Sequence, residues 1–302
     1  MRIIRAGVLG YCMGVRRAVE LAYREAAKSA SPGGRVYTVG PLIHNPQVLE
    51  DLRRRGVEAL DGAGLPGDLS GSAVIIRAHG ITPELEAELV RRGAAIRDAT
   101  CPKVKASQMK ARALYRAGCR LFLAGERRHG EIIGIQGYAP DCVIVASRDE
   151  AEKEAAALAR EFAAAAPQGN SAAPPKTALI AQTTFSPEEY RAIAGGIARH
   201  LPETEIINTI CPATKDRQES LRSLCSAVDA VVIVGGRDSA NTRRLLAIAE
   251  SCGKPAWLVE NAAAVPREAA AFPAVGLSAG ASTPGEVIDS VEAALRRLAS
   301  GA

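Results

Sequence analysis

Residues 94–113 read AAIRDATCPKVKASQMKARA, an apolar strand-like run that meets Cys101 and gives way at once to a helix-like one. The same junction recurs at RAGVLGY (5–11), Cys12 and MGVRRAVELA (13–22), and at EIINTI (205–210), Cys211 and PATKDRQESLRSL (212–224). The three cysteines lie 89 and 110 residues apart. That is too far for a local metal clip, but it suits three similar α/β units that each present one thiol toward a shared centre. Three thiolates match three metals of a four-iron cluster, and an iron left without a protein ligand is a place where a substrate can coordinate.

Outward from these junctions, strand-like and amphipathic helix-like runs alternate almost throughout. VYTVG precedes NPQVLEDLRRRG, AVIIRAHG precedes TPELEAELVRRG, and CRLFLAG precedes HGEIIGIQGYA. TALIAQTTF then leads to SPEEYRAIAGGIARHL, DAVVIVGG to SANTRRLLAIAESCG, and AVGLSAGAS to TPGEVIDSVEAALRRLAS. Repeated βα alternation implies parallel sheets covered by helices, with ligands beyond the carboxyl ends of the strands. The expected class is α/β, in three similar lobes over 1–101, 102–207 and 208–302, each a small, mostly parallel sheet flanked by helices. The stretch AAAAPQGNSAAPPK (163–176) reads as an exposed loop.

The composition narrows the function. At 302 residues with an apolar share of 47%, the chain is globular rather than disordered. A net charge of +5 with arginines spread over helix-like segments, and only 4% aromatic residues, argues against nucleic acid as a partner. A mild positive field favours small anions. No run is long enough to span a bilayer and the first residues do not read as a secretory signal, so a cytoplasmic protein is expected, with no membrane partner. Seven widely spaced cysteines are no disulfide framework. Cys119, Cys142, Cys225 (placed mid-helix) and Cys252 read as structural.

Three of the four histidines follow strand-like runs: His44, His79 and His129. Each alone reads as a loop or helix-start residue, but three at equivalent places point to function. The turns beside them open helices, whose N-termini attract anions such as phosphate. His200 reads as surface. Gln182, Thr183, Thr184, Ser239, Asn241 and Ser282 stand at the ends of later strands. Singly each is as well explained as a helix cap, but together with the histidines they would line a polar, diphosphate-sized cavity. Glu131 is the carboxylate nearest this set in sequence, a candidate proton donor or else a solvated helix-start residue.

Nine ordered segments, GYCMGVRRA, GPLIHNPQV, RAHGITPE, DATCP, HGE, AQTTFS, NTICPATKDRQ, SANTRRL and SAGASTP, resemble the successive signatures of the 4-hydroxy-3-methylbut-2-enyl diphosphate reductase (LytB/IspH) family. The resemblance runs from about residue 10 to residue 290. It implies reductive removal of a hydroxyl from an allylic diphosphate, the last step of the non-mevalonate isoprenoid pathway. It also implies a 4Fe–4S cluster held by Cys12, Cys101 and Cys211 at the centre of the three lobes, and a ferredoxin or flavodoxin as electron donor. By position, His44, His79, His129, Ser239, Asn241 and Ser282 match diphosphate contacts, Glu131 the proton-delivering acid, and Thr183 the hydroxyl that orients the substrate alcohol.

The chain departs from the family pattern in a few places. Ala240 stands where a second hydroxyl is expected beside Ser239, HGE replaces a His-Pro-Glu order, the 163–176 loop is long, and Lys103 and Lys105 are unusual after Cys101. A zinc-binding structural protein, a non-catalytic phosphate-binding module and a cluster dehydratase of another anionic substrate are the competing readings. The first is disfavoured by the lack of closely spaced ligand pairs.

Overall fold

Parallel strands buried on both faces read as unbroken apolar runs. Ala230–Val234 (AVVIV) and Thr177–Ala181 (TALIA) are buried at every position. The computed structural model describes residues 1–28, 35–60, 64–165 and 175–300. In chain order the elements begin β1 (Arg2–Arg5), α1 (Met13–Lys28), β2 (Arg35–Val39), α2 (Pro46–Arg54), β3 (Val57–Leu60), β4 (Ser72–Ile76), α3 (Pro83–Arg91) and β5 (Ala95–Asp98). They continue α4 (Pro102–Arg116), β6 (Arg120–Ala124), α5 (Gly130–Gln136), β7 (Val143–Val145), α6 (Arg148–Ala165), β8 (Thr177–Ala181), α7 (Pro187–Ala198) and β9 (Glu205–Ile206). The last are α8 (Pro212–Cys225), β10 (Ala230–Val234), α9 (Ala240–Ser251), β11 (Ala256–Val259), β12 (Ala274–Ala279) and α10 (Gly285–Ser300).

The strands form three parallel sheets of four, ordered β3-β2-β4-β5, β7-β6-β8-β9 and β11-β10-β12-β1. Numbered within each sheet, all three follow the order 2-1-3-4, with β1 in the fourth place of the last. β1 reaches it by pairing with β12, Arg2 opposite Ala274 and Arg5 opposite Leu277. Sheet membership therefore cuts across the sequence blocks, because Arg2–Arg5 joins strands more than 220 residues later. Each fourth-place strand, β1, β5 and β9, leads through a key cysteine into the helix that leaves its sheet, α1, α4 and α8. Cys12, Cys101 and Cys211 are thus topologically equivalent.

Two of the three junctions are looser than their sequence suggests. The first strand is RIIR, and residues 6–12 of the strand-like run are irregular. Gly10 there has φ +77°, a left-handed value that ends extended structure. In EIINTI only Glu205–Ile206 pair, and both are exposed.

Alternate residues of a strand serve opposite faces. Phe122, Ala124, Leu179 and Ala181 pack beneath Tyr190 and Ile193. Leu121, Leu123, Ala178 and Ile180 pack with Ile132 and Ile135 on the other side. In the last sheet Val231 and Ile233 face Leu221, Leu224 and Leu245, while Val232 and Val234 face Val291 and Leu295. Each Val, Leu, Ile or Phe side chain so removed from water is worth about 1.5–3 kcal/mol.

The chain folds as two compact units. One comprises Met1–Ala78, Arg92–Ala99 and Pro212–Ala302, and contains the β2–β5 and β10–β12/β1 sheets. The other comprises His79–Arg91 and Thr100–Cys211, and contains the β6–β9 sheet.

Of the stretch expected as a loop at 163–176, the first three residues end α6, and 166–174 lie outside the described residues. Cys119, Cys142 and Cys225 are buried in hydrophobic clusters, although Cys225 ends α8 instead of sitting within it. Cys252 caps α9 and is exposed, so burial does not account for it. Among the described residues no helix is long and apolar enough to cross a membrane.

Candidate active site

In a 2-1-3-4 parallel sheet the chain leaves strands 1 and 3 toward opposite sides, and the crevice between their carboxyl ends is the natural ligand position. Every polar candidate follows one of those strands. After the first-place strands β2, β6 and β10 come His44, His129 and Ser239; after the third-place strands β4, β8 and β12 come His79, Gln182–Thr184 and Ser282.

In the first unit, Asn45 caps α2 through its Oδ1, which accepts from the Val48 amide at 3.1 Å, with Pro46 preset at the first helical position. This turn holds His44 beside the β10 and β12 ends. The Ser282 hydroxyl donates to the His44 carbonyl at 3.1 Å. Gly236 approaches so closely that a Cβ there would lie 2.5 Å from the same oxygen. Burial holds the His44 imidazole below its usual pKa, as does the field of Arg77 and Arg243, against the opposite pull of Asp238. A neutral ring among cations is a hydrogen-bond donor in positive surroundings, which suits a diphosphate.

Ser239 caps α9, its Oγ accepting from the Thr242 amide at 3.3 Å and its own proton still available. Asn241, 5% exposed, has no partner for Nδ2 among the described residues. A buried amide left unpaired costs about 1–3 kcal/mol, so it marks a place where an acceptor is expected. Ala240 is buried at the first position of α9. The Cys12 amide donates to the carbonyl of Ala281 at 3.2 Å, which places the cysteine next to Ser282.

In the second unit, His129 caps α5 with Nδ1 accepting from the Glu131 amide at 3.2 Å. In a neutral ring that bond puts the proton on Nε2. The His79 ring meets His129 edge-on, centroids 5.2 Å apart. Gly80, at φ +73°, lets the chain turn against Gln108, whose Nε2 would be 2.4 Å from a Cβ. Glu131 is 1% exposed and accepts two hydrogen bonds from Thr183, the amide to Oε1 at 2.7 Å and the hydroxyl to Oε2 at 2.8 Å. Burial pushes its carboxyl up to about 7, although both Thr183 bonds pull it down. Thr183 also accepts from the Cys211 amide at 2.9 Å.

Gln182 spends its side chain internally, Oε1 accepting from the Glu126 amide and Nε2 donating to Thr184. It shapes the strand end, while the partly exposed Thr184 keeps a proton to donate. His200 is exposed on the surface.

None of the seven cysteines is in a disulfide. Cys12, Cys101 and Cys211 are each partly exposed and each stands immediately before a helix. Cys101, followed by Pro102, caps α4 without a side-chain bond to the helix. Equivalent, partly exposed sulfurs at helix starts fit a thiolate-bound metal cluster.

Sequence reasoning missed Arg77 and Arg217. Burial holds the Arg77 guanidinium below its usual pKa. Arg217 is 2% exposed and donates to the Gly10 carbonyl at 2.9 Å, fastening the loop that leads to Cys12. An arginine inside the apolar run AVIIRAHG was the available signal for the first. Arg217 had none, because in KDRQES it looks like a solvated helix face.

Polar residues at switch points, and a cysteine after the fourth strand of each sheet, mark this as an α/β protein with its chemistry-bearing side chains at the strand ends. The chain belongs to the LytB protein family, whose model matches residues 3–296. It is 43% identical over 295 residues to 4-hydroxy-3-methylbut-2-enyl diphosphate reductase of Treponema denticola, covering 97% of this chain and 98% of that one. The protein of the same name from Aquifex aeolicus is 38% identical, with 99% and 97% covered. A solved structure of (E)-4-hydroxy-3-methyl-but-2-enyl diphosphate reductase, described as the terminal enzyme of the non-mevalonate pathway, superposes with TM-score 0.67 at 37% identity, covering 98% of this chain and all of that one. The Plasmodium falciparum reductase structure matches with TM-score 0.83 over 95% of this chain and 86% of that one; at 24% identity it speaks to the fold alone.

Proposed function

We propose that this protein reduces 4-hydroxy-3-methylbut-2-enyl diphosphate to isopentenyl and dimethylallyl diphosphates, taking up two electrons and two protons and releasing the C4 hydroxyl as water. The buried Glu131 carboxyl, poised near neutrality and clamped by Thr183, carries this reading. An acid with a pKa near the working pH is suited to protonating a leaving hydroxyl. The family membership supplies the substrate class.

Cys12, Cys101 and Cys211 would hold a 4Fe–4S cluster. When bound, that cluster supplies the electrons and a Lewis-acidic iron for the departing oxygen. The chain's own residues do the rest. His44, Ser239 and Asn241 donate to diphosphate oxygens from the first unit, and Ser282 fixes the His44 turn for that purpose. His79 and His129 donate from the second, with Thr184 as a further hydroxyl. Neutral donors of this kind bind a diphosphate without an obligatory magnesium ion. The Thr183 hydroxyl orients the substrate alcohol, and the Glu131 proton passes from Oε2 through Thr183 Oγ1 to the leaving oxygen.

The protein works in the cytoplasm with a ferredoxin or flavodoxin as donor. Anaerobic reconstitution with iron and sulfide tests the cofactor. A visible chromophore lost in Cys12→Ser, Cys101→Ser and Cys211→Ser alike supports it, and a protein that stays colourless while taking up zinc refutes it.

A further inference from the structure

Seven large apolar side chains are exposed among the described residues, and three of them, Val90, Met109 and Tyr115, line one groove of about 790 Å³ between α3 and α4 of the second unit. Scattered exposed apolar residues need no explanation, but their convergence in one concave patch does. The groove's rim is charged. Arg91, Lys105, Arg112 and Arg116 stand on it against Glu84 and Glu86. Helix α4 itself carries Lys103, Lys105, Lys110, Arg112 and Arg116 and no carboxylate. Lys103, Lys110, Arg112 and Arg116 are exposed, and none of these four makes an ion pair with a described residue. Of these, Arg112 and Arg116 stand on the rim itself, and unpaired rim cations beside an apolar centre form the anatomy of a protein interface.

The position gives the groove a purpose. α4 begins at Pro102, directly after Cys101, and the amide of the rim residue Lys105 donates to the Cys101 carbonyl at 2.9 Å. One end of the groove is therefore a single helical turn from a cysteine assigned above to the cluster. We propose that the α3–α4 groove is the docking surface for a small acidic electron-carrier protein, with Val90, Met109 and Tyr115 as its apolar seat and the rim cations Arg112 and Arg116 as its electrostatic guide. This rests on the reductase reading. Each reduced carrier gives up one electron and leaves oxidised, so two dockings, with two protons, balance the replacement of the C–OH bond by C–H and the release of water. Long-range attraction raises the encounter rate, and the apolar seat supplies the short-range contact.

The test compares two electron sources on the reconstituted holoenzyme: dithionite, which needs no docking surface, and a reduced acidic [2Fe–2S] ferredoxin. In Arg112→Glu/Arg116→Glu, kcat/KM for ferredoxin is expected to fall by at least about tenfold at low salt and to lose most of its salt dependence, with dithionite turnover unchanged. Val90→Asp, which touches only the apolar seat, is expected to raise KM for ferredoxin and again spare dithionite turnover. Unchanged ferredoxin kinetics in both variants would overturn the proposal. So would a concentration-dependent dimer of the wild type that either variant dissolves, because the groove would then belong to a second copy of the chain. A wild-type holoenzyme inert with dithionite would instead remove the reductase reading on which the proposal stands.

Discussion

Thr183 joins Glu131 to Cys211: its amide and hydroxyl both donate to the Glu131 carboxylate, and its carbonyl accepts from the Cys211 amide. Three hydrogen bonds, two of them through backbone groups of Thr183, thus hold a buried acid one residue away from a cysteine proposed above to bind the cluster. Cys12 stands in a similar relation to Ser282 through the carbonyl of Ala281. In each unit a cysteine and a polar residue of the candidate site are set by a few short-range bonds, so under the proposed function little freedom would remain between them.

The first consequence concerns the acid. Burial raises the Glu131 pKa and the Thr183 bonds lower it. Thr183→Val removes the hydroxyl bond and keeps the amide bond, so the pKa rises further. The alkaline limb of the pH–rate profile is expected to move up by about one unit while the maximum falls at least about tenfold. Thr183→Ser is expected to restore both.

Glu131 also links stability to pH. Its folded pKa of about 7 lies above the ordinary 4.5, so the folded state binds the proton more tightly than the unfolded chain does. Stability from this group is therefore fully present below about pH 4.5 and is lost as pH rises toward 7. Glu131→Gln removes the penalty. Relative to the wild type, the variant should gain about 2 kcal/mol between about pH 5 and pH 8 in denaturant unfolding, with turnover abolished. A pH-independent difference would show that Glu131 is already ionised in the fold.

Asn241 sets binding against stability. Its Nδ2 is buried without a partner, so the apoprotein gains nothing from it. Asn241→Leu is expected to leave thermal stability equal or higher, while diphosphate affinity measured by calorimetry falls about tenfold or more. Lower stability with unchanged affinity would contradict its assignment.

Gly236 tests the His44 turn. A Cβ at this position meets the His44 carbonyl at 2.5 Å, a backbone atom that cannot swing away as a side chain would. Gly236→Ala is expected to displace His44 and raise KM for the diphosphate several-fold, with cluster absorbance unchanged.

Much of this was legible in the chain. The apolar runs gave the βα rhythm and the parallel sheets, and of the polar residues at their ends Ser239 and His129 cap helices at the switch points. The place of β1 was not legible, because a four-residue strand carries no mark of a partner beyond residue 270. Only the shared 2-1-3-4 order shows that β1 fills the position of β5 and β9, and hence why Cys12, Cys101 and Cys211 are equivalent. The engagement of Ser282 with a carbonyl, the internal bonds of Gln182 and the inward Arg217 are tertiary facts, since a serine, a glutamine or an arginine reads the same whether it faces ligand or protein.

The most direct test is anaerobic turnover of 4-hydroxy-3-methylbut-2-enyl diphosphate by the reconstituted protein with a strong one-electron reductant, following cluster absorbance and products together. Formation of both isopentenyl and dimethylallyl diphosphates, lost in Glu131→Gln although the cluster still assembles, is the expected result. A protein that assembles its cluster and yields neither product would contradict the account.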